Sequence, residues 1–222
     1  MLTPYVLWTL IAAVLAVFLA EAAGGSFDED GDFQGWYDFS VSCTSDGWKL
    51  RVENESKSGS DWHELYYNHL DFGLSRPLCS WFEAGINYRQ VETLNDGEWD
   101  KQHRAHMNGI FKWGMRGWTF SDRNRLEFRD FEFGQDKWRY RNRLTAYLPV
   151  AFADGKIKPY LSDEIFVDLH GDGLGNNRAY AGTEIKLLNR LKTDVSYVWQ
   201  TKYCNAEWSD THAIQLKGEL TF

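Results

Sequence analysis

The chain is poor in positive charge, in cysteine and in long apolar segments, and each shortage argues against a class of protein. Its 24 lysines and arginines are outnumbered by 32 aspartates and glutamates, for a net charge of -8, whereas nucleic-acid binding requires clustered positive surface. The cysteines, Cys43, Cys79 and Cys204, are odd in number and lack zinc-site spacing. Beyond residue 23 no apolar run reaches the roughly 20 residues of a transmembrane helix. The sequence therefore predicts no nucleic-acid partner and no helical membrane domain.

The N-terminal residues 1–23 have the character of a signal peptide. Residues 5–20 contain a single polar side chain, that of Thr9, and are too few for a membrane-spanning anchor, which is the alternative. Small residues follow this run and offer a cleavage site, although no lysine or arginine precedes it. We expect cleavage there, which leaves an acidic N-terminal segment, residues 24–32, on a chain exported to an oxidising compartment.

Apolar and polar residues alternate along most of the remaining chain, as they do in strands whose two faces meet different surroundings. In residues 47–54, for example, Trp48, Leu50 and Val52 alternate with charged residues. Only alternate residues of a membrane barrel face lipid, so a mean hydropathy of -0.50 is compatible with that class, and the 11 tryptophans suit its aromatic girdles. The pattern predicts eleven segments, at residues 33–42, 47–54, 66–74, 81–91, 103–113, 118–131, 138–148, 158–168, 178–188, 193–203 and 212–222.

The expected fold is an all-β, antiparallel transmembrane β-barrel of the outer membrane of a Gram-negative bacterium, formed by residues 33–222. Bacterial single-chain barrels have an even number of strands. We therefore expect ten or twelve strands, with either one strand unrecognised or residues 33–42 outside the barrel. A soluble lipocalin-like barrel or sandwich is the alternative, and its apolar face would point inward.

The last segment matches the C-terminal signal by which outer-membrane barrels are recognised for assembly. Gly218, Leu220 and Phe222 share one face of it, and the sequence stops on an aromatic residue. Outer-membrane lipid and the barrel-assembly machinery are therefore the expected partners, while the oligomeric state is not predicted. With this end at the periplasmic rim, we expect short connections on that side and longer ones outside.

Charged residues are concentrated on the polar face of the strands in the second half of the chain. On a lipid-facing surface each would be costly, so they are predicted to line the lumen, as Arg123, Arg125, Glu127, Arg129, Arg139, Arg141, Arg143, Glu164 and Arg178. A hairpin closing around Gly134 would place Glu127 across from Arg141, and Glu164 could reach Arg141 or Arg143. The set is either a structural ladder filling a narrow barrel or a cationic constriction that selects anions.

Four segments resemble the outer-membrane family known as domain of unknown function 2490. They are SDRNRLEFR at residues 121–129, WRYRNRL at 138–144, PYLSDEIF at 159–166 and NR at 177–178. The resemblance covers most of the chain after the predicted signal peptide. It implies an outer-membrane β-barrel without an assigned activity.

No catalytic, metal-binding or cofactor-binding arrangement stands out. The six histidines are scattered and no serine nucleophile motif is present, so neither enzyme activity nor a cofactor is expected. Asp168, Asp172 and Asn176 lack the spacing of a calcium loop. A narrow, porin-like pore for small anionic solutes is the first hypothesis, and a barrel enzyme acting on lipid or a purely structural barrel are the alternatives. Cys43 and Cys79 fall in periplasmic-side connections, which leaves a disulfide between them open.

Overall fold

The computed structural model describes residues 30–95, 97–171, 173–204 and 207–222, without the side chain of Cys204. The predicted signal peptide, residues 1–23, and most of the acidic segment lie outside the described residues. Every regular element in the described part of the chain is a β-strand. No helix within these ranges has the length and apolar character needed to cross a membrane.

Each of the eleven alternating segments forms a strand, and most strands extend beyond the predicted bounds because neighbouring backbones continue to pair. The strands are β1 (Phe33–Ser45), β2 (Trp48–Gly59), β3 (Glu64–Cys79), β4 (Phe82–Asn95), β5 (Glu98–Met115), β6 (Trp118–Phe131), β7 (Lys137–Tyr147), β8 (Ile157–Asp168), β9 (Gly173–Lys186), β10 (Leu191–Cys204) and β11 (Glu207–Thr221). Consecutive strands pair antiparallel, and the sheet closes into a barrel when β1 pairs with β11.

The closing pair is parallel, with Phe33 opposite His212 and Ser42 opposite Thr221. The predicted count of ten or twelve strands is therefore wrong, and eleven is correct. An even count follows only when the first and last strands run in opposite directions, so that all pairs are antiparallel. Here one parallel pair accommodates the odd strand, and residues 33–42 form part of the wall.

Most connections are short, and the predicted difference in loop length between the two rims is wrong. At Asp46-Gly47 and at Arg116-Gly117 both residues have positive φ angles, of 51° and 78° and of 51° and 84°, as two-residue hairpins of the type I′ geometry require. At the rim opposite the C-terminus, two to five residues separate consecutive strands. The longest connection, residues 148–156, lies at the C-terminal rim.

The barrel is polar inside and apolar outside. Outward side chains such as Ile86 and Leu50 are 60% and 57% exposed, whereas the inward carboxylate of Glu127 is 0% exposed. Alternation along each strand produces this arrangement, because successive side chains point to opposite faces of the sheet. It is the reverse of what the lipocalin-like alternative requires.

One small apolar cluster lies inside the barrel, formed by Trp36, Tyr160, Tyr180, Val198 and Ala213. A glycine, Gly182, allows the close approach of the Tyr160 ring. A Cβ at this position would lie 2.7 Å from Tyr160 Cζ and 2.6 Å from the Cβ of a serine on β10. The internal cluster and the charged groups described next together fill the middle of the lumen.

Candidate functional site

The centre of the lumen holds a carboxylate surrounded by arginines. Glu127 Oε2 accepts hydrogen bonds from Arg139 Nη2 at 2.5 Å and Nε at 2.8 Å, and its Oε1 accepts one from Arg141 Nη1 at 2.9 Å. Arg125 Nη1 lies 3.5 Å from the same Oε1. Because these hydrogen bonds are charge-assisted and the carboxylate is fully buried, Glu127 fixes three guanidinium groups at one height of the barrel.

The register of the β6–β7 hairpin differs from the predicted one. Glu127 is paired with Arg139 and Arg125 with Arg141, so the predicted pairing of Glu127 with Arg141 is wrong by two residues. The turn is centred one residue earlier than Gly134, and moving a turn centre by one residue shifts the register by two. Arg141 still reaches Glu127 diagonally, because its side chain is long enough to span neighbouring pairs.

A second buried carboxylate, Glu164, extends the network to β8. Its Oε1 accepts hydrogen bonds from Arg123 Nη2 at 2.6 Å and from Arg141 Nη2 at 2.8 Å. Its Oε2 accepts one from the Tyr180 hydroxyl at 3.1 Å. Arg141 thus contacts both Glu127 and Glu164. Of the two arginines that Glu164 was predicted to reach, Arg141 is the one that it binds. We call the six residues of this network the Arg–Glu layer: Arg123, Arg125, Glu127, Arg139, Arg141 and Glu164.

The three other predicted lumen arginines lie beside the layer and, within the described chain, make no ion pair. Arg143 donates to Ser162 Oγ at 3.0 Å and lies 4.0 Å from the Tyr180 ring centroid. Arg178 donates from Nε to Gln200 Oε1 at 2.7 Å. Arg129 lies 4.6 Å from the Phe131 ring centroid. Side-chain oxygens and aromatic rings, instead of carboxylates, hold these cations.

The structure reveals a second ion-pair cluster that the sequence reasoning missed. Arg89 binds Asp71 at 2.7 Å and Glu53 at 3.3 Å. His69 lies 3.3 Å from Glu53 and 3.3 Å from Glu55. These residues come from β2, β3 and β4, and each occupies the polar face of its strand. The alternation places them in the lumen, but only the register shows that they meet.

Two cavities lie on opposite sides of the Arg–Glu layer. The first, of about 310 Å³, lies toward the C-terminal rim and is lined by groups of both signs, including Arg123, Arg143, Asp194 and Lys217; we call it the mixed cavity. The second, of about 160 Å³, lies toward the other rim and is called the cationic cavity. Its charged lining residues are Glu55, Lys57, Arg89, Arg104, Arg139, Arg141, Arg178 and Lys202.

Polar side chains on β6 and β7 form a cluster on the largely apolar outer surface. Asp122 Oδ1 accepts a hydrogen bond from Asn142 Nδ2 at 2.6 Å, and its Oδ2 accepts one from Asn124 Nδ2 at 3.1 Å. Asn124 Oδ1 accepts a hydrogen bond from the Tyr140 hydroxyl at 2.5 Å. The members of the cluster satisfy one another, which lowers the cost of placing them on an apolar surface.

The two cysteines considered as a pair do not form a disulfide in the structure, where Cys43 and Cys79 are free and exposed. Leu50 pairs with Cys43 on one side and with Leu74 on the other. Cys79 therefore lies two strands away and five residues further along, a separation of roughly 19 Å, far beyond the roughly 7 Å limit for Cα atoms of a disulfide. Cys204 lies at the edge of a gap in the described chain, and its side chain is not among the described groups.

The residues of the proposed assembly signal lie in the closing seam. Phe222 N donates to Ser42 O at 2.9 Å, and Thr44 N donates to Phe222 O at 3.1 Å. A Cβ at Gly218 would lie 2.9 Å from a ring carbon of Phe39. Leu220 pairs with Val41 across the seam. Recognition of these residues by the assembly machinery stays a prediction.

The possible calcium ligands have other partners. Asp168 accepts a backbone hydrogen bond from His170 at 2.8 Å and lies 3.6 Å from Lys137 Nζ. Asn176 Nδ2 donates to Gln200 at 3.4 Å, while Asp172 lies outside the described residues. In the described part of the chain, no group of three or more histidine, cysteine, aspartate or glutamate side chains is placed to hold a metal ion.

These features define the class: a closed, eleven-stranded β-barrel with an apolar outer surface and a charged, ion-paired lumen. The chain belongs to the family described as "Protein of unknown function (DUF2490)", whose model matches residues 33–211. The match extends from the start of β1 into β11 and includes every residue of the Arg–Glu layer. No curated protein matches the chain.

Proposed function

We propose that this protein is an outer-membrane barrel, exported by a signal peptide, whose lumen is a narrow passage for small anions. The apolar outer surface supports a location in lipid, because contiguous exposed apolar surface of this extent marks a membrane or partner interface. Tryptophans near strand ends, such as Trp81, Trp113 and Trp118, suit the girdles of such barrels. Outer-membrane lipid and the barrel-assembly machinery are the corresponding partners.

One observation in particular supports the passage of anions. Glu164 Oε1 binds both Arg123, which lines the mixed cavity, and Arg141, which lines the cationic cavity. The two cavities are therefore separated by a layer whose cations outnumber its carboxylates, four arginines to two glutamates. Rings of basic side chains at a constriction favour anions and repel cations. A narrow lumen of this charge is expected to conduct weakly and with anion preference.

Reconstitution in planar bilayers tests this function. We expect a small current in a KCl gradient whose reversal potential indicates anion preference. Arg141→Gln should weaken that preference, and Glu164→Gln should strengthen it because Arg123 then lacks an opposing carboxylate and Arg141 keeps only Glu127. Glu83→Gln is the matched control, since Glu83 pairs with Lys112 at 3.3 Å and lines neither cavity.

Three results would contradict the proposal. The absence of current through correctly folded protein would favour a purely structural barrel. Release of fatty acid from outer-membrane phospholipid by the same preparation would favour a barrel enzyme acting on lipid. Recovery of the mature chain in periplasmic extract without detergent would remove the membrane location itself.

A further inference from the structure

The cationic cavity is lined by seven cations and one carboxylate, Glu55, and three of the cations form no ion pair within the described chain. Lys57, Arg104 and Arg178 line it, and none of them makes an ion pair with any described residue. The other arginines of the wall differ, because Arg89 binds Asp71 and Glu53, while Arg139 and Arg141 belong to the Arg–Glu layer. These three cations therefore give the cavity an excess of positive charge, which its single lining carboxylate, Glu55, offsets only in part.

An aromatic ring holds two of these cations in place. Trp36 is fully buried, and its ring centroid lies 3.6 Å from Lys57 Nζ and 4.7 Å from Arg178 Cζ. The indole Nε1 donates to Gln34 Oε1 at 2.8 Å, which fixes the ring. A cation over an aromatic face is stabilised by the ring quadrupole, and only the donors that point at the ring are occupied.

Most donors of the three cations consequently remain available. Arg104 uses Nε on Gln102 Oε1, and Arg178 uses Nε on Gln200 Oε1. Both Nη groups of each arginine make no hydrogen bond within the described ranges, and the same holds for Lys57 Nζ. Lys57 is 5% exposed and Arg104 is 7% exposed. Burying unpaired charges beside one another is unfavourable, and an anion in the cavity would balance them.

We propose that the cationic cavity binds a tetrahedral dianion of the phosphate or sulfate class. A volume of about 160 Å³ admits such an ion but lies below the roughly 300 Å³ minimum of sites for larger organic ligands. Two arginine forks and an ammonium group supply the planar and point donors that such oxyanions accept. This proposal rests on the proposed function in one respect, because it names an anion that one half of the lumen holds. It does not require that anion to pass through the barrel.

Titration of the refolded full chain in detergent with sodium phosphate, and separately with sodium sulfate, tests the site. Sodium chloride keeps the ionic strength constant. We expect saturable binding of both dianions and a rise in the urea midpoint of unfolding. Arg104→Gln and Lys57→Gln should each weaken binding at least about tenfold, the loss of one charge-assisted hydrogen bond. Lys217→Gln, which removes an inward lysine of the mixed cavity, is the control and should bind as the wild type does.

The urea midpoint measured without a dianion distinguishes a ligand-binding site from a set of cations that only stabilise the fold. If the three cations form an anion site, Arg104→Gln removes repulsion between like charges in the empty cavity. The urea midpoint of this variant in chloride alone should then equal or exceed that of the wild type. A lower midpoint in chloride together with an unchanged response to phosphate would overturn the proposal, as would equal responses to phosphate and chloride. Arg178→Gln gives the same reading if another variant fails to fold. Conductance is measured in chloride, so failure of the passage and failure of this site give different results.

Discussion

Replacing Glu127 by glutamine removes the negative charge at the centre of the Arg–Glu layer while keeping the shape of the side chain. Three arginines, Arg125, Arg139 and Arg141, lie within 3.5 Å of this carboxylate. After the change, Glu164 is the nearest carboxylate of the layer, and it contacts only Arg141 among the three. The variant therefore measures how strongly the layer depends on a paired, desolvated carboxylate.

The expected loss of stability follows from the burial of these charged groups. Removing one partner of a buried ion pair typically costs ~3–5 kcal/mol, because an uncompensated charge remains. Glu127 is fully buried, and the side chains of Arg141 and Arg125 are 9% and 8% exposed, so this range applies rather than the ~0–1 kcal/mol of exposed pairs. A loss of that size corresponds to roughly two to four powers of ten in the folding equilibrium.

Urea unfolding of the refolded protein in detergent, followed by tryptophan fluorescence, gives the free energy of unfolding. Glu83→Gln is the control, because Lys112, its partner, is 53% exposed, and it should cost at most ~1 kcal/mol. The double variant Glu127→Gln with Arg139→Gln should recover part of the loss, since one unpaired guanidinium is removed as well. Equal, small losses for Glu127→Gln and Glu83→Gln would refute the reasoning and show that water screens the layer.

Three other predictions test different parts of the barrel. Both Cys43 and Cys79 should react with an alkylating reagent in the folded, unreduced protein, and mass spectrometry that finds either one unmodified would contradict their free, exposed state. Gly182→Ala should lower the free energy of unfolding by ~1–3 kcal/mol through overpacking, whereas Gly175→Ala, where a Cβ meets nothing within 4 Å, should change it by less. Deletion of Phe222 should reduce the amount of folded barrel recovered from membranes, and an unchanged yield would exclude its role in assembly.

The strands could be predicted from the sequence because each depends on local alternation. All eleven predicted segments are strands, and the errors are at their ends: most strands run further than predicted, and five segments include one or two residues beyond the strand. The closure could not be predicted, because pairing between β1 and β11 joins residues such as Ser42 and Thr221 that no local pattern relates. The rule of even strand counts then excluded the correct number.

The Arg–Glu layer could be predicted because five of its six members lie on one hairpin, where neighbours in sequence are neighbours in space. The second cluster could not, because Glu53, Asp71 and Arg89 come from three strands and meet only through the registers of two successive hairpins. The same holds for Lys57 and Arg104 in the cationic cavity. Their unpaired state depends on which carboxylates the register leaves out of reach, and that information is absent from any single segment.

The odd strand has a direct role in the cationic cavity. Because β1 and β11 are parallel, β1 begins at the rim opposite Phe222, where Asp32 O accepts a hydrogen bond from His212 N at 3.0 Å. This direction places Trp36, close to the start of β1, in the half of the lumen that contains Lys57 and Arg178. Without β1 in the wall, neither cation would have this aromatic partner. The strand that an even count would exclude is thus the one that holds two of the three unpaired cations of the proposed dianion site.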